Sequence, residues 1–486
     1  MERCDLRAVE RPGTTALPIW LLAAALPAVV GGLWLWWDAR SGVPGLLVGA
    51  LPGALLLSTG LSTLLWARDK RIFQFMSLGA ASGMTLSFPA ALVFGPVAAL
   101  VLLAGSAAGF VAAGYLSVWQ ERVPAEVPEP EMTPGIAARA AQDELSMCGI
   151  VLTTWPLSVG ERATQVGREL DEALVLFEER GWKEYSASYH RTPPPLEKPG
   201  RGDLRYDHDG FEHLSFESGY EPWPEEPGRE RWLSYENNRT AHAWVLRHPG
   251  EPRPWMVCIH GIRMGSPRAD IRLFQPDYLY RDLGLNLLFP VLPIHGPRRV
   301  GPVSGDRILA GDVMDTLHAG SQAIWDIRRL ILWLEKGEGA PAVGVLGHSL
   351  GGYVAALLAG LAPGLDCVIS GNPAVDPSRL FWNNALSLAT RYLKAAGVDE
   401  ARMHRLTRAV SPLEFAPLVN RERLAIFAGV ADRVVPPIEA HSLWKHWGHP
   451  RIAWYNGTHR GFLRVPEGRD VLEDTLRAAG MLPPNS

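Results

Sequence analysis

Hydrophobic residues are distributed unevenly along the chain. Residues 17–119 are almost free of charge, whereas the rest has the mixture of apolar and polar positions that is typical of water-soluble proteins. Residues 17–37 and 43–66 form two apolar runs, each about as long as a helix that spans a bilayer. Residues 72–119 are too long for one crossing, and they contain Phe94-Gly95-Pro96, which is suited to a tight turn. The pattern therefore predicts about four transmembrane helices within residues 1–122, the last two at 72–93 and 97–119.

We prefer this interpretation to a buried helical bundle of a soluble protein. A soluble bundle needs a polar face on each helix, and these runs have none. A cleaved signal peptide is not expected either, because further apolar segments follow the first one. Tryptophans stand at the ends of the runs, where interfacial aromatic residues are expected in a membrane. They are Trp34, Trp36, Trp37, Trp66 and Trp119.

Basic residues predict the orientation of these helices, because connections rich in Lys and Arg stay in the cytoplasm. The amino-terminal tail carries Arg3, Arg7 and Arg11, the second connection carries Arg68, Lys70 and Arg71, and the first connection carries only Arg40. The amino terminus and the second connection are therefore expected in the cytoplasm. Four crossings leave the long carboxy-terminal part in the cytoplasm as well, which we expect, whereas three crossings would place it outside.

The segment after the apolar region has a different composition. Residues 123–135 are rich in Pro and Glu, which predicts an extended linker. Residues 161–180 have helical periodicity. Residues 191–231 are rich in Pro, Gly and charge, so the pattern assigns no regular structure to them. We therefore interpret residues 123–235 as a linker with a helical segment that caps or wraps the next domain.

From about Thr240 onward, short apolar runs of strand length alternate with longer helical runs. Strands are predicted at residues 241–247, 255–259, 286–291, 342–346, 367–370, 424–428 and 452–455. Helices are predicted at residues 317–334, 350–361, 438–447 and 469–479. Such alternation implies an α/β fold over residues 236–486, with a mostly parallel sheet covered by helices on both faces. In sheets of this kind the chemistry lies at the carboxyl ends of the strands.

One motif lies directly between a predicted strand and a predicted helix. Its sequence is Gly347-His348-Ser349-Leu350-Gly351-Gly352. In this position a Gly-x-Ser-x-Gly pattern predicts a nucleophile elbow, a sharp turn that presents Ser349 at its tip. Glycines are needed because the strand and the helix approach each other too closely for a side chain. The bare pattern is weak, and its place between strand and helix makes it specific.

With this motif the chain resembles the α/β-hydrolase superfamily, from about residue 240 to the end. Residues 424–437 look like the superfamily's penultimate strand and acid loop, and residues 452–459 look like its last strand and histidine loop. The superfamily's chain order of nucleophile, acid and histidine implies a catalytic triad of Ser349, Asp432 and His459. His459 would take the proton of the serine hydroxyl, and Asp432 would fix the tautomer of the histidine.

Both partners of the serine have rivals. Asp376 follows another predicted strand and is an alternative acid. Three histidines besides His459 follow Asp432, but they lie on or next to a predicted helix. They are His441, His446 and His449. We prefer Asp432 for its acid-loop sequence and His459 for the strand that precedes it.

The His260-Gly261 pair, after the predicted strand at 255–259, resembles the superfamily's oxyanion loop. By that match the amides of Ile262 and Leu350 would bind the developing oxyanion, and His260 itself is expected to be structural. The next two residues, Arg263-Met264, depart from the longer glycine-rich version of this loop.

Two further segments are expected near the same end of the sheet. Residues 293–299 include the His295-Gly296 pair, which we interpret as part of a plain turn. The alternative is that Arg298 or Arg299 binds an anionic head group. Residues 381–418 fall between two predicted strands, where insertions in this superfamily commonly form a lid. Within them, residues 385–393 would either cover an apolar pocket or pack as ordinary structure.

Composition narrows the function further. The net charge is −4 and there is no basic tract or zinc-finger spacing, so nucleic acid is not an expected partner. The sequence has no HExxH motif, dinucleotide fingerprint or P-loop lysine, and we expect neither a metal nor a cofactor. We therefore expect a multi-pass, membrane-anchored serine hydrolase that cleaves a small-molecule or lipid ester. A peptidase or acyltransferase with the same triad, and a non-catalytic membrane scaffold, are the alternatives, and the oligomeric state is open.

Overall fold

The computed structural model describes residues 6–7, 17–65, 69–154, 159–196, 199–206 and 209–483. The chain divides into two compact units. The first unit comprises Met1–Leu152, Gly429–Ile438 and Asn456–Arg460, and the second comprises Thr153–Ala428, Glu439–Tyr455 and Gly461–Ser486. Arg3, Arg11, Trp66 and Arg68, which the predicted spans and orientation used, lie outside the described residues.

The first unit is mainly helical. Its elements are β1 (Leu6–Arg7), α1 (Leu17–Leu65), α2 (Lys70–Val93), α3 (Pro96–Trp119), β2 (Val123–Pro124) and α4 (Pro134–Thr154). Three stretches, Ile19–Leu65, Lys70–Val93 and Pro96–Trp119, are long and apolar enough to cross a membrane, judged by length and composition. Helix α4 was not predicted from the sequence.

Helix α1 consists of two helical segments. At Gly42 the backbone has φ 61° and ψ −145°, which is not a helical conformation. A methyl group on Gly31 would lie 2.2 Å from the backbone nitrogen of Leu57, and one on Gly60 would lie 2.4 Å from that of Ala28. The two segments therefore lie side by side, and the break at Gly42 falls between the predicted runs at 17–37 and 43–66. The predicted break at Phe94-Gly95-Pro96 is also confirmed, since α2 ends at Val93 and α3 begins at Pro96.

The second unit alternates strands and helices. Its first elements are α5 (Glu161–Glu179), β3 (Gly200–Tyr206), β4 (Asp209–Glu217), α6 (Arg229–Leu233), β5 (Thr240–Leu246), β6 (Trp255–Ile259), α7 (Pro267–Leu273), β7 (Asn286–Pro290) and α8 (Val313–Lys336). The later elements are β8 (Val343–His348), α9 (Leu350–Leu361), β9 (Cys367–Gly371), α10 (Pro377–Asn384), α11 (Ser387–Ala395), α12 (Glu400–Thr407), β10 (Leu424–Gly429), α13 (Pro437–His446), β11 (Arg451–Tyr455) and α14 (Pro466–Ala478). Each strand and helix predicted beyond residue 240 is present, with ends that differ by a few residues.

These strands form one nine-stranded mixed sheet in the order β11-β10-β9-β8-β6-β7-β5-β4-β3. Strands β7, β6, β8, β9 and β10 pair in parallel. Strands β5, β4 and β3 add antiparallel pairs at one edge. The central parallel part matches the predicted fold class.

Helices cover both faces of the sheet, as predicted. On β6, Trp255, Val257 and Ile259 belong to an apolar cluster with residues of α8 and α9. The alternate residues Met256 and Cys258 belong to a second cluster with residues of α7 and α14. Because successive side chains of a strand point to opposite faces, each strand contributes to two cores.

The sequence pattern assigns no regular structure to residues 191–231, but β3 and β4 lie there and extend the sheet. Leu214 of β4 pairs with Ala243 of β5 and is fully buried. The neighbouring Phe211 and Phe216 are buried as well, in different clusters. Charged residues between these apolar positions hid the strand pattern, which is common for strands near a sheet edge.

Candidate active site

Ser349 stands between β8 and α9 in a strained backbone conformation. Its φ is 60° and its ψ is −118°. Positive φ is unfavourable for residues other than glycine, and it persists where the surrounding structure enforces it. The N–H of Ser349 donates a 2.8 Å hydrogen bond to the carbonyl of Gly371 at the end of β9. The residue is 4% exposed, and its turn has the geometry that the sequence pattern predicts for a nucleophile elbow.

Two glycines of this motif are required by close backbone approach. A methyl group on Gly347 would lie 2.0 Å from the carbonyl oxygen of Gly351. One on Gly351 would lie 1.9 Å from the carbonyl oxygen of Ile259, at the end of β6. Such distances leave no room for any side chain. The glycines therefore allow the strand, the turn and the helix to meet around Ser349.

Asp432 and His459 form a buried pair in the first unit. Asp432 follows β10 and His459 follows β11 along the chain. The Nδ1 atom of His459 lies 2.7 Å from Oδ2 of Asp432. The other carboxylate oxygen, Oδ1, accepts hydrogen bonds of 2.8 Å from the N–H groups of Val434 and Val435. Both oxygens of Asp432 are thus held by donors, and the carboxylate has a fixed orientation.

The environment of His459 favours its protonated form. Burial alone would lower the pKa of the imidazole, but the charge of Asp432 and its hydrogen bond outweigh burial. The carboxyl of Asp143 and the cation of Arg460 act in opposite directions and are weaker. As a result the pKa of His459 is raised above its ordinary value. The same surroundings would stabilise the imidazolium that His459 forms if it accepts a proton as a general base.

A second buried carboxyl group, which was not predicted from the sequence, lies beside this pair. Oδ2 of Asp143, on α4, accepts a 3.0 Å hydrogen bond from the N–H of His459 and a 3.3 Å one from the N–H of Arg433. Burial and the charge of Asp432 raise the pKa of Asp143 to about 7. The available signal was the adjacent acids at 143 and 144 in a helix whose other face is apolar, since buried acids need partners.

Arg433, next to the acid, carries a buried ion-pair network. Its Nε lies 3.0 Å from Oε1 of Glu144, and its Nη1 lies 2.6 Å from Oε2 of Glu121. Glu121 also pairs with Lys70 at 2.8 Å. Burial would raise the pKa of Glu121, but Arg433 and Lys70 outweigh it and lower that pKa to about 2. The network ties the acid loop to α4 and to the ends of α2 and α3.

The predicted oxyanion loop lies beside the serine. A methyl group on Gly261 would be 3.3 Å from the Cβ of Ser349. Ile262 and Leu350 pack against the same small apolar cluster, which includes Ile294. Their roles as oxyanion donors stay predictions.

His260 has a structural role. Its Nε2 accepts a 3.1 Å hydrogen bond from the N–H of Leu292. Its Nδ1 lies 2.8 Å from the carbonyl oxygen of Gly261, to which it therefore donates. The buried imidazole fixes the loop after β6 against the loop after β7, which fits the structural role expected for His260.

The rival residues have other partners. Asp376 caps α10 by accepting from the N–H of Arg379, and it pairs with the side chains of Arg379 and His404. Its pKa is lowered to about 2, since the hydrogen bond from His404 and the contacts of Arg379 outweigh burial. His446 donates through Nε2 to the carbonyl of Phe415, and the ring of His449 packs edge-to-face against Trp444. These contacts favour the assignment of Asp432 and His459.

The head-group alternative for Arg298 is wrong. Arg298 is fully buried, and its guanidinium lies 2.8 Å from Oδ2 of Asp326. It also donates to the carbonyls of Val291 and Asn238. Arg298 therefore stabilises the loop after β7. Arg299 is exposed, and no described contact links it to a ligand role.

Residues 381–418 form a helical insertion that contains α11 and α12. Leu393 and Leu406 are fully buried in the same cluster as Leu170 of α5. A methyl group on Gly167 of α5 would lie 2.1 Å from the carbonyl of Ala396. Of the two alternatives for this segment, the structure favours packing as ordinary structure against α5.

Among the residues that the structure describes, no group of three His, Cys, Asp or Glu side chains has the arrangement of a metal site. The described contacts bring Asp432 together with His459. Ser349 belongs to the second unit. The action of the three residues as one triad stays a prediction.

Comparison with known proteins adds the following. No protein-family model matches the chain. Acetyl xylan esterase 1 from Thermoanaerobacterium sp. JW/SL YS485 is 13% identical, with 62% of this chain and 93% of that chain covered and a TM-score of 0.44. The acetyl xylan esterase from Paenibacillus sp. R4 is 14% identical, with 62% and 99% covered and a TM-score of 0.42. Likeness at this level carries no argument about function.

Sequence relatives are much more similar. The uncharacterized proteins MT2702 and Rv2627c of Mycobacterium tuberculosis, from strains CDC 1551 and H37Rv, are each 38% identical over 360 residues. Each alignment covers 74% of this chain and 86% of the relative. The chain therefore belongs to the same family as these uncharacterized mycobacterial proteins.

Proposed function

We propose that the chain is a membrane-anchored serine hydrolase that cleaves an ester through Ser349, His459 and Asp432. The observation that carries this proposal is the strained turn at Ser349, with glycines at both sides where no side chain fits. Strain of this kind has a cost of about 1–3 kcal/mol and is concentrated at functional sites. The buried Asp432–His459 pair supplies the base that a serine hydroxyl needs.

The reaction runs in two steps. In the first, Ser349 Oγ attacks the ester carbonyl, His459 Nε2 takes the hydroxyl proton, and that proton then passes to the leaving alcohol. In the second, His459 takes a proton from water, the hydroxide attacks the acyl-enzyme, and the proton returns to Ser349 as the acid leaves. Asp432 accepts the hydrogen bond from Nδ1–H, so that Nε2 is free to act as the base.

The oxyanion of each tetrahedral intermediate would be bound by the amides of Ile262 and Leu350. Ile262 follows the end of β6, and Leu350 follows the end of β8 directly after Ser349. Backbone amides at these positions need no reorganisation during the reaction, which is the source of their stabilising effect.

Membrane anchorage is supported by the surface of the helices α1 to α3. Leu92 is 92% exposed and Leu47 is 77% exposed, and other large apolar side chains are exposed beside them. A soluble protein rarely exposes so large an apolar surface. The buried side of the helices includes small residues, and Trp34 donates to Ser106 there at 3.1 Å. Tethering would raise the local concentration of bilayer-borne esters, and an acyl lipid is the substrate class that we favour.

Hydrolysis of p-nitrophenyl esters of increasing acyl length by the detergent-solubilised chain tests the proposal. We expect a burst of p-nitrophenol, equal to the enzyme present, when deacylation is slower than acylation. Turnover should be lost in Ser349→Ala and His459→Ala, and retained in the controls Ser188→Ala and His446→Ala. Ester hydrolysis that survives Ser349→Ala would contradict the proposal. Release of amines from peptides would instead indicate a peptidase. Acyl transfer to an added alcohol in preference to water would indicate an acyltransferase.

A further inference from the structure

Asp143 contacts both loops that carry the Asp432–His459 pair. It lies on α4, in the region that the sequence suggests is only linker and cap. The residue is 1% exposed. A single oxygen, Oδ2, accepts from the N–H of Arg433, directly after the acid, and from the N–H of His459 itself. One carboxylate thus joins the acid loop to the histidine loop.

We propose that Asp143 is a positioning residue for the Asp432–His459 pair. It holds the two loops that carry the pair in register, and it places a second negative charge beside His459. This inference rests on the proposed function. It assigns a part of the site to the first 152 residues, which thereby do more than anchor the chain.

The charged surroundings of Asp143 are specific. Asp432 and Arg433 face it from the acid loop, His459 and Arg460 from the histidine loop, and Glu144 is its neighbour on α4. Arg433 turns its guanidinium to Glu144 and Glu121, so that only its backbone N–H contacts Asp143. Arg460 donates to Ser146 at 3.1 Å. Neither arginine side chain therefore pairs directly with the carboxylate in these contacts.

A carboxylate in this position is costly, and that cost supports a functional role. Burial and the charge of Asp432 act against ionisation of Asp143 and raise its pKa to about 7. A neutral amide would accept the same two hydrogen bonds without that penalty. What the amide lacks is the negative charge that raises the pKa of His459. The charge would stabilise the imidazolium that forms while Ser349 attacks.

The variant Asp143→Asn distinguishes a role that needs the negative charge of Asp143 from a role in structural support alone. Its amide oxygen keeps both acceptor contacts, so a merely structural role would leave the protein unchanged. We would measure the second-order rate constant of labelling by a fluorophosphonate from pH 5 to 9, on the detergent-solubilised full chain. The acid limb of this profile reports the protonation of His459 in the free enzyme. We expect the limb to move to lower pH by about half a unit, because Asp143, with a pKa of about 7, is partly ionised where His459 titrates and the amide removes that charge.

Two further variants complete the experiment. Glu129→Gln removes one exposed negative charge from the same unit, and its profile should match wild type. Asp143→Ala removes both acceptor contacts and should reduce the plateau labelling rate about tenfold or more, since it leaves two buried N–H groups unpaired. Unfolding midpoints of all variants are measured in parallel.

The outcomes separate this inference from the proposed function. A labelled wild type together with an unmoved acid limb in Asp143→Asn would overturn the inference and leave the hydrolase standing. Failure of Asp143→Asn to fold would also overturn it, because the carboxylate would then serve stability. A folded wild type that is not labelled at all would overturn the proposed function, and the inference with it.

Discussion

The Nδ1 atom of His459 lies 2.7 Å from Oδ2 of Asp432, and the other oxygen of that carboxylate accepts from two backbone amides. The pair is buried, and its orientation is fixed from both sides. Few surface acid–histidine contacts have this arrangement, because exposed pairs keep their freedom and are screened by water. The pair therefore has the geometry of a base with its orienting acid.

Replacement of Asp432 by Asn should disable the base without removing its partner. The amide has the size of the acid but does not compel Nδ1 to carry the proton, so the wrong tautomer of His459 becomes accessible. We expect the ester turnover number to fall by about a thousand-fold or more. The matched control is Asp376→Asn at the rival acid, which should retain turnover. Equal losses in both variants would contradict the assignment of Asp432.

The acid limb of the wild-type labelling profile should lie above the ordinary histidine pKa. His459 must be neutral to act as a base, and the net effect of its surroundings raises its pKa above 6.5. Labelling should therefore fall as the pH drops through that raised value, while circular dichroism shows an unchanged fold. A midpoint at or below 6.5 would show that Asp432 does not favour the imidazolium in the free enzyme.

Loss of Arg433 should destabilise the first unit. Arg433→Met leaves the carboxylates of Glu121 and Glu144 buried without their main partner. We expect the free energy of unfolding in detergent to fall by about 3–5 kcal/mol. Arg180→Met removes an exposed ion pair with Glu225 and should cost about 1 kcal/mol or less. Similar losses in both variants would mean that the Arg433 network is not buried in solution.

A side chain at Gly351 should disrupt the elbow. The added methyl group of Gly351→Ala would lie 1.9 Å from the carbonyl oxygen of Ile259, and relief of that overlap requires a shift of β6 or α9. We expect a loss of stability of about 1–3 kcal/mol or more, together with the loss of ester turnover. Gly202→Ala on β3 meets no atom within 4 Å and serves as the control. Wild-type turnover in Gly351→Ala would refute the tight turn.

The predicted topology can be tested in intact cells with a membrane-impermeant maleimide. Four crossings place the connection near Arg40 outside and the residues after α3 in the cytoplasm. Arg40→Cys should therefore be labelled, and Arg122→Cys should be labelled only after the membrane is permeabilised. Labelling of Arg122→Cys in intact cells would place the residues of the proposed triad outside. Release of the chain by alkaline carbonate would refute membrane anchorage itself.

Much of the second unit was predictable because its strands are short apolar runs bounded by Gly, Pro or charged residues. Strand β6 was located to the residue, and α9 as well. Strands β3 and β4 were missed because their few apolar residues do not alternate regularly with polar ones, and because strand pairing across the sheet, not local composition, stabilises them.

The candidate site was predictable where it depends on local sequence. The turn at Ser349 and the loops that bring Asp432 to His459 come directly after strands that the apolar runs predict. The adjacent acids at 143 and 144 marked a charged position on the helix, but the partners of Asp143 were not predictable, because they are backbone N–H groups 290 and 316 positions away. A backbone donor has no residue type, and no sequence pattern marks it.

The most direct experiment on the proposed nucleophile is to identify the residue that a fluorophosphonate modifies. The full chain is labelled in detergent, digested, and the adduct is located by mass spectrometry, beside Ser349→Ala and His459→Ala. We predict one adduct in wild type, on Ser349, and none in either variant. An adduct on another residue, or labelling that persists in Ser349→Ala, would show that Ser349 is not the activated nucleophile.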